Sequence, residues 1–215
     1  MNLLVTLFFL QNIIVTTLLG YKFFSQKNPV FKNFGIALFL NAVAFAIWSY
    51  AIITQASDLG FYVTAGAAPF IGSLVFLMLV SAQKVSESMR KNLVIGSAVV
   101  GLVLFALRTF VYPSAPSISE EGLFFFNLHP IIQMLYALGL GFTAIPAISF
   151  VAAKFKGRYS AIVRYGFLLE VIGGILLMTT SNTFMLYILG WVMGITYFVL
   201  CVTLVFNKKT WSLSN

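Results

Sequence analysis

The chain has 215 residues, of which 60% are hydrophobic and only 8% charged, with a formal net charge of +8. Soluble domains carry roughly a quarter charged residues, so this composition excludes a water-facing globular surface and points to lipid as the solvent. The charge excess would suggest nucleic acid in a soluble protein, but its distribution along the chain assigns it elsewhere.

Seven apolar runs are each close to the ~20 residues that carry a helix across a bilayer core of about 30 Å. They are predicted at 3–21, 33–55, 61–82, 92–112, 128–153, 160–180 and 183–206. The first has no basic segment before it and no small-residue cleavage pattern before Lys22, so it reads as a span rather than a signal peptide. Lys22, Lys27 and Lys32 follow the first span, and Lys84, Arg90 and Lys91 the third. Lys154, Lys156, Arg158 and Arg164 follow the fifth or enter the sixth, and Lys208 and Lys209 follow the seventh. The alternate connections hold Asp58, Glu120 and Glu121, and the uncharged Ser181-Asn182-Thr183 turn. Twelve of the thirteen basic residues therefore fall on one side, which is the positive-inside pattern. The predicted fold class is an all-α membrane protein, a single seven-transmembrane-helix bundle over 1–215 with its N-terminus outside and its C-terminus cytoplasmic. The basic excess is then met by topology and anionic lipid, and nucleic acid is not expected as a partner.

The connection from Tyr112 to Asn127 reads YPSAPSISEEGLFFFN. Its prolines and serines oppose helix at its start, and its Gly-Leu-Phe-Phe-Phe end is too apolar to float in water. It is expected to fold back over the outer mouth, as an interfacial aromatic anchor or as a cover over a ligand. Helices 1–3 and 5–7 form two sets of three around helix 4, an arrangement that a tandem duplication would also produce. Pro69 in helix 3 and Pro146 in helix 5 remove backbone donors and are candidate kinks or hinges. Gly190 and Gly194 form a GxxxG on helix 7, a close-packing face for another helix or a second copy of the chain.

Glu170 is the residue that most needs explaining. At 1.5 Å per residue it lies about 9 Å deeper than Arg164, inside the hydrocarbon. Its helical neighbours at three and four residues include Gly166, Gly173 and Gly174, a stripe on which another helix packs, so it is predicted to face the bundle. An unpaired charge at that depth is costly. Asn41 lies at similar depth, about 13 Å beyond Lys32, and is the expected partner, with Asn12 or Thr143 as further candidates. The pair is read either as a proton- or ligand-binding polar core or as an interhelical hydrogen bond.

At the outer mouth, Arg108 either snorkels or meets Glu120 or Glu121, or it binds an anionic group. His129 is the single histidine, which excludes a multi-histidine metal site. It is expected to make an interfacial hydrogen bond or to respond to pH. Arg108, Glu121, Phe125 and His129 are the candidate outer ligand site, with Glu170 and Asn41 as the polar core beneath. No lysine stands in the middle of a span, which excludes a retinal Schiff base, and no HExxH, Walker loop or Ser-His-Asp set occurs. No enzymatic activity and no cofactor are expected. The single cysteine, Cys201, reads as a core residue.

The seven spans, the longer outer segment with Gly122-Leu123-Phe124-Phe125-Phe126, and the basic turn Lys156-Gly157-Arg158-Tyr159 before helix 6 resemble the seven-helix sensor region at the N-terminus of some bacterial histidine kinases. The resemblance covers nearly all of 1–206. It implies a multi-pass protein of the bacterial cytoplasmic membrane that senses a ligand. Six residues follow Lys209, so no output domain is expected and signalling would pass through a partner membrane or cytoplasmic protein. Two other functions fit the same residues: a small-solute or proton-coupled transporter with Glu170 as its protonation site, and a structural subunit of a larger membrane complex.

Overall fold

The computed structural model describes residues 3–54, 56–120, 123–207 and 211; for residues 3–6 and 84 it describes the backbone alone. Among them seven helices are long and apolar enough to span a membrane: α1 Leu3–Phe24, α2 Pro29–Ile53, α3 Leu59–Ser81, α4 Glu87–Ala106, α5 Pro130–Ala152, α6 Arg158–Thr179 and α7 Thr183–Cys201. The protein is an all-α, multi-pass membrane bundle. Turns of π-helix extend α4 over Leu107–Val111 and α7 over Val202–Phe206.

Several helices start before the apolar runs do, because capping residues set the ends. Asn28 caps α2 by accepting from the Val30 amide at 2.9 Å, and Pro29 occupies the first helical turn, where its missing N–H costs nothing. Ser86 caps α4, bringing the polar turn Glu87–Lys91 into the helix ahead of the hydrocarbon stretch. Both α3 and α5 run on through Pro69 and Pro146. Gly157, with φ of 56°, supplies the left-handed turn that starts α6.

α1, α2 and α3 pack in sequence, as do α5, α6 and α7; α3 meets α5 and α7 meets α1, closing a ring of six. α4 lies outside that ring against α3. Gly101 and Leu104 are its buried α-helical residues, and Arg108 is buried in the π-turn beyond.

The two ends of the bundle are closed differently. At the basic end, where the α1–α2, α3–α4 and α5–α6 connections lie, Phe23 centres an aromatic cluster. Its ring lies 5.0 Å from Phe34, 5.7 Å from Phe31 and 5.3 Å from Trp211. The Trp211 indole N–H donates to the Leu204 carbonyl at 2.6 Å, and Lys22 stands over its ring. Lys208 and Lys209 lie outside the described residues. At the opposite end the 112–129 connection forms a hairpin, with β1 (Ser117–Ile118) antiparallel to β2 (Phe124–Phe125). The hairpin folds onto the bundle: Leu123, Phe124, Phe126 and Leu128 are buried, and the Phe126 ring meets the Trp48 indole edge-on at 5.0 Å. Asn127 leaves the hairpin at φ 45°, a conformation asparagine tolerates. Its amide donates to the Ala115 carbonyl at 3.0 Å and the Ser117 hydroxyl at 2.9 Å.

Candidate functional site

Among the described residues, two acidic or basic side chains are buried inside the bundle, Arg108 and Glu170, and their surroundings differ. Arg108 sits in the π-helical extension of α4 and is 2% exposed. It neither snorkels nor forms an ion pair with Glu120, which is exposed. Its guanidinium instead donates to the Tyr136 hydroxyl of α5 at 2.7 Å and to the Val63 carbonyl of α3 at 3.0 Å. The Trp48 indole N–H shares that carbonyl at 3.4 Å. Trp48 reaches it because residue 66 is glycine: a Cβ there would overlap the indole. Arg108 thus ties the peripheral α4 to α3 and α5. The sequence placed its depth along the chain but not its neighbours.

Glu170 is 7% exposed and faces the bundle. Its glycine stripe packs on α7: a Cβ on Gly166 would meet Leu200 at 2.7 Å, and one on Gly173 would meet Met193 at 2.7 Å. Neither carboxyl oxygen has a hydrogen-bond partner among the described residues. Tyr197 of α7 lines the same cavity and is the polar side chain that interacts with the carboxyl group. Asn41 lines the same small cavity of about 90 Å³ as Glu170 and Tyr197, but it is not the direct partner expected from its depth. Its side-chain oxygen accepts from the Ser73 hydroxyl at 3.4 Å. Asn12 and Thr143 are not partners either. The Asn12 amide donates to the Phe8 carbonyl and the Thr143 hydroxyl to the Gly139 carbonyl, each within its own helix. Equal depth brought Asn41 and Glu170 to one cavity; the side-chain directions on α2 and α6 leave room between them.

A larger cavity of about 400 Å³ lies between α1 and α7, near their hairpin ends. Leu123, Phe124 and Phe126 of the hairpin roof it, and Gln11 and Tyr187 supply polar groups in a mostly apolar wall. Trp191, Ile195 and Phe198 on its rim are each more than 60% exposed, so it opens sideways on the apolar flank of the bundle. Phe126 and Leu177 line both this cavity and the one around Glu170; they form the wall between them. Gly190 and Gly194 face α1 across this cavity. A Cβ on Gly190 would lie 3.8 Å from Phe8, and one on Gly194 would lie 3.2 Å from Gln11, whose amide donates to the Gly194 carbonyl at 2.7 Å. Within the chain, α1 occupies the GxxxG face. A third recess of about 670 Å³, almost wholly apolar, separates α4 from α3 and α5.

The other expected outer-site residues do not converge on these cavities. Phe125 is half-buried in β2 and His129 is exposed. The His129 imidazole stacks on Tyr112 at 4.3 Å and accepts from the Ile131 amide at 3.3 Å, capping α5. Glu121 lies outside the described residues. Phe126 of the Gly-Leu-Phe-Phe-Phe stretch shapes the site instead, together with Trp48, Leu177 and Tyr197. One signal was present: Gly66 and Trp48 are a small and a large residue on consecutive antiparallel helices. Cys201 is buried in α7.

No protein-family model matches this chain, and no curated protein is significantly similar to it.

Proposed function

We propose that this chain is a receptor-like sensory module of a bacterial cytoplasmic membrane, without enzymatic activity, that takes up an apolar or amphipathic ligand and signals through a partner protein. The hairpin end is placed outside on the positive-inside rule. The ligand would enter sideways from the outer leaflet into the cavity between α1 and α7, whose size falls in the range of small-molecule sites. The observation that carries this reading is the shared wall. Phe126 borders the ligand-sized cavity on one side and the Glu170 cavity on the other, and it rests on Trp48. A ligand that moved Phe126 would disturb both the packing around Glu170 and the carbonyl that Arg108 and Trp48 share. A carrier requires Glu170 to be reached from both sides in turn, whereas the Phe23 aromatic cluster packs across the basic end beneath it. A subunit docking through Gly190 and Gly194 would have to displace α1.

The chain has three tryptophans, and each reports on one region: Trp191 on the larger cavity, Trp48 on the shared wall, Trp211 on the basic end. With Trp48 and Trp211 replaced by Phe, a brominated single-chain amphiphile added to vesicles should quench Trp191 saturably. Gly190→Leu should abolish the saturable part by filling the cavity. Quenching that rises linearly with amphiphile, with no effect of Gly190→Leu, would mean simple partitioning and would refute the ligand site.

A further inference from the structure

We propose that the cavity around Glu170 binds a small ammonium-type cation. Several observations converge there. The carboxyl group is more than nine-tenths buried, lines the cavity, and has no hydrogen-bond partner on either oxygen among the described residues. The cavity wall contains no basic side chain; its polar members are Glu170, Asn41 and Tyr197. Arg108 is bound to Tyr136 and Val63, and Arg164, in the second turn of α6, is exposed. A charged carboxylate in this position is strongly disfavoured without a counter-charge, and a bound cation supplies one.

The rest of the wall selects the kind of cation. Phe34, Phe45, Trp48, Phe70, Phe126 and Phe167 all border the cavity. Aromatic faces attract cations, and aromatic cages are a recurrent device for recognising organic ammonium groups. An alkali ion needs a shell of oxygens; here the side chains offer the carboxyl, the Asn41 amide oxygen (already shared with Ser73) and the Tyr197 hydroxyl. An ammonium group needs fewer: its N–H donors match the carboxyl and amide oxygens, and its remaining surface tolerates rings. At about 30 Å³ of liquid volume per water, a cavity of about 90 Å³ holds on the order of three water-sized molecules. That suits ammonium or methylammonium with a water beside it and excludes bulky cations. The Phe23 cluster bars the basic end, so the route in runs from the hairpin side, past Phe126 and Leu177.

The inference goes beyond the receptor reading and stands without it, since neither amphiphile binding nor movement of Trp211 is needed for a cation to sit at Glu170. The test is thermal unfolding of the full chain in lipid nanodiscs with methylammonium chloride, against sodium chloride and choline chloride at equal ionic strength and pH. A rise in Tm that saturates with methylammonium, exceeds that with sodium and choline, and disappears in Glu170→Gln is expected. A rise equal in all three salts, or one that persists in Glu170→Gln, would overturn the site. A rise selective for sodium and lost in Glu170→Gln would overturn the ammonium assignment. To keep the test independent of how Glu170→Gln folds, infrared difference spectra can be taken with Asp58, Glu87, Glu120 and Glu121 replaced by their amides. Glu170 is then the single side-chain carboxyl. Methylammonium should change its carboxyl band; an unchanged band would refute the proposal.

Discussion

Arg108 and Glu170 are both buried charged-type residues in a hydrocarbon bundle, and they have opposite kinds of surroundings. Arg108 is held at both terminal nitrogens by side-chain and backbone oxygens from two neighbouring helices, with only its Nε lacking a described partner; Glu170 faces a cavity in which no described group bonds either of its oxygens. Hydrogen bonds to a charged group are worth about 1.5–3 kcal/mol each, and an unmet buried polar atom costs about as much. The first site therefore reads as structure, a tie between α4 and the ring. The second keeps an unmet demand, as sites that bind something do. Phe126 and Trp48 lie between the two, since Trp48 touches the carbonyl that Arg108 uses and also borders the Glu170 cavity.

Substitutions separate these roles, beginning with the largest effect. Phe126→Ala removes a buried ring that both cavities and Trp48 depend on, and should cost about 3 kcal/mol of unfolding free energy, measured by steric trapping in bilayers. A cost below that of Tyr136→Phe would mean the wall is not a packed element. Tyr136→Phe takes one acceptor from the guanidinium and should cost about 1.5–3 kcal/mol in the same assay. No loss there would show that Arg108 is satisfied by something other than α5. Gly66→Ala forces a methyl into the Trp48 indole and should cost about 1–3 kcal/mol, with a changed Trp48 emission. An unchanged spectrum would contradict the close approach of α2 and α3. Glu170→Gln should change stability least, within about 1 kcal/mol in either direction, because the amide keeps the shape and no protein hydrogen bond is lost. A loss as large as that of Tyr136→Phe would make Glu170 an interhelical tie and erase the contrast with Arg108.

How much of this was legible in the sequence follows from what each signal measures. Hydrophobic run length gave the seven spans, because bilayer thickness fixes it; the ends moved where Asn28 and Ser86 cap outside the apolar stretch. Periodicity placed Glu170 toward the bundle, since its glycines share one helical stripe and that stripe packs on α7. Depth along a helix set Asn41 level with Glu170, and both line one cavity. It could not say which side chain of α7 would stand opposite, and that side chain is Tyr197. The same limit applies to Arg108: its place just before the 112–127 connection fixed its level but not its burial beside Val63 and Tyr136. The cavities were not legible at all, because they are what remains after several helices and the hairpin have packed. His129 and Phe125 were grouped with Arg108 by level alone, and level does not distinguish the capped start of α5 from the interior.

The most direct test of the account is whether the cavity between α1 and α7 and the basic end communicate. In a protein with Trp48 and Trp191 replaced by Phe, Trp211 emission and its quenching by iodide added on the side of the basic end can be followed as the amphiphile is added. The receptor reading expects both to change over the concentrations that saturate Trp191, and to lose that response in Phe126→Ala. A Trp211 signal that stays constant while Trp191 reports saturable binding would contradict it, leaving a membrane protein that binds a ligand at one end without informing the other.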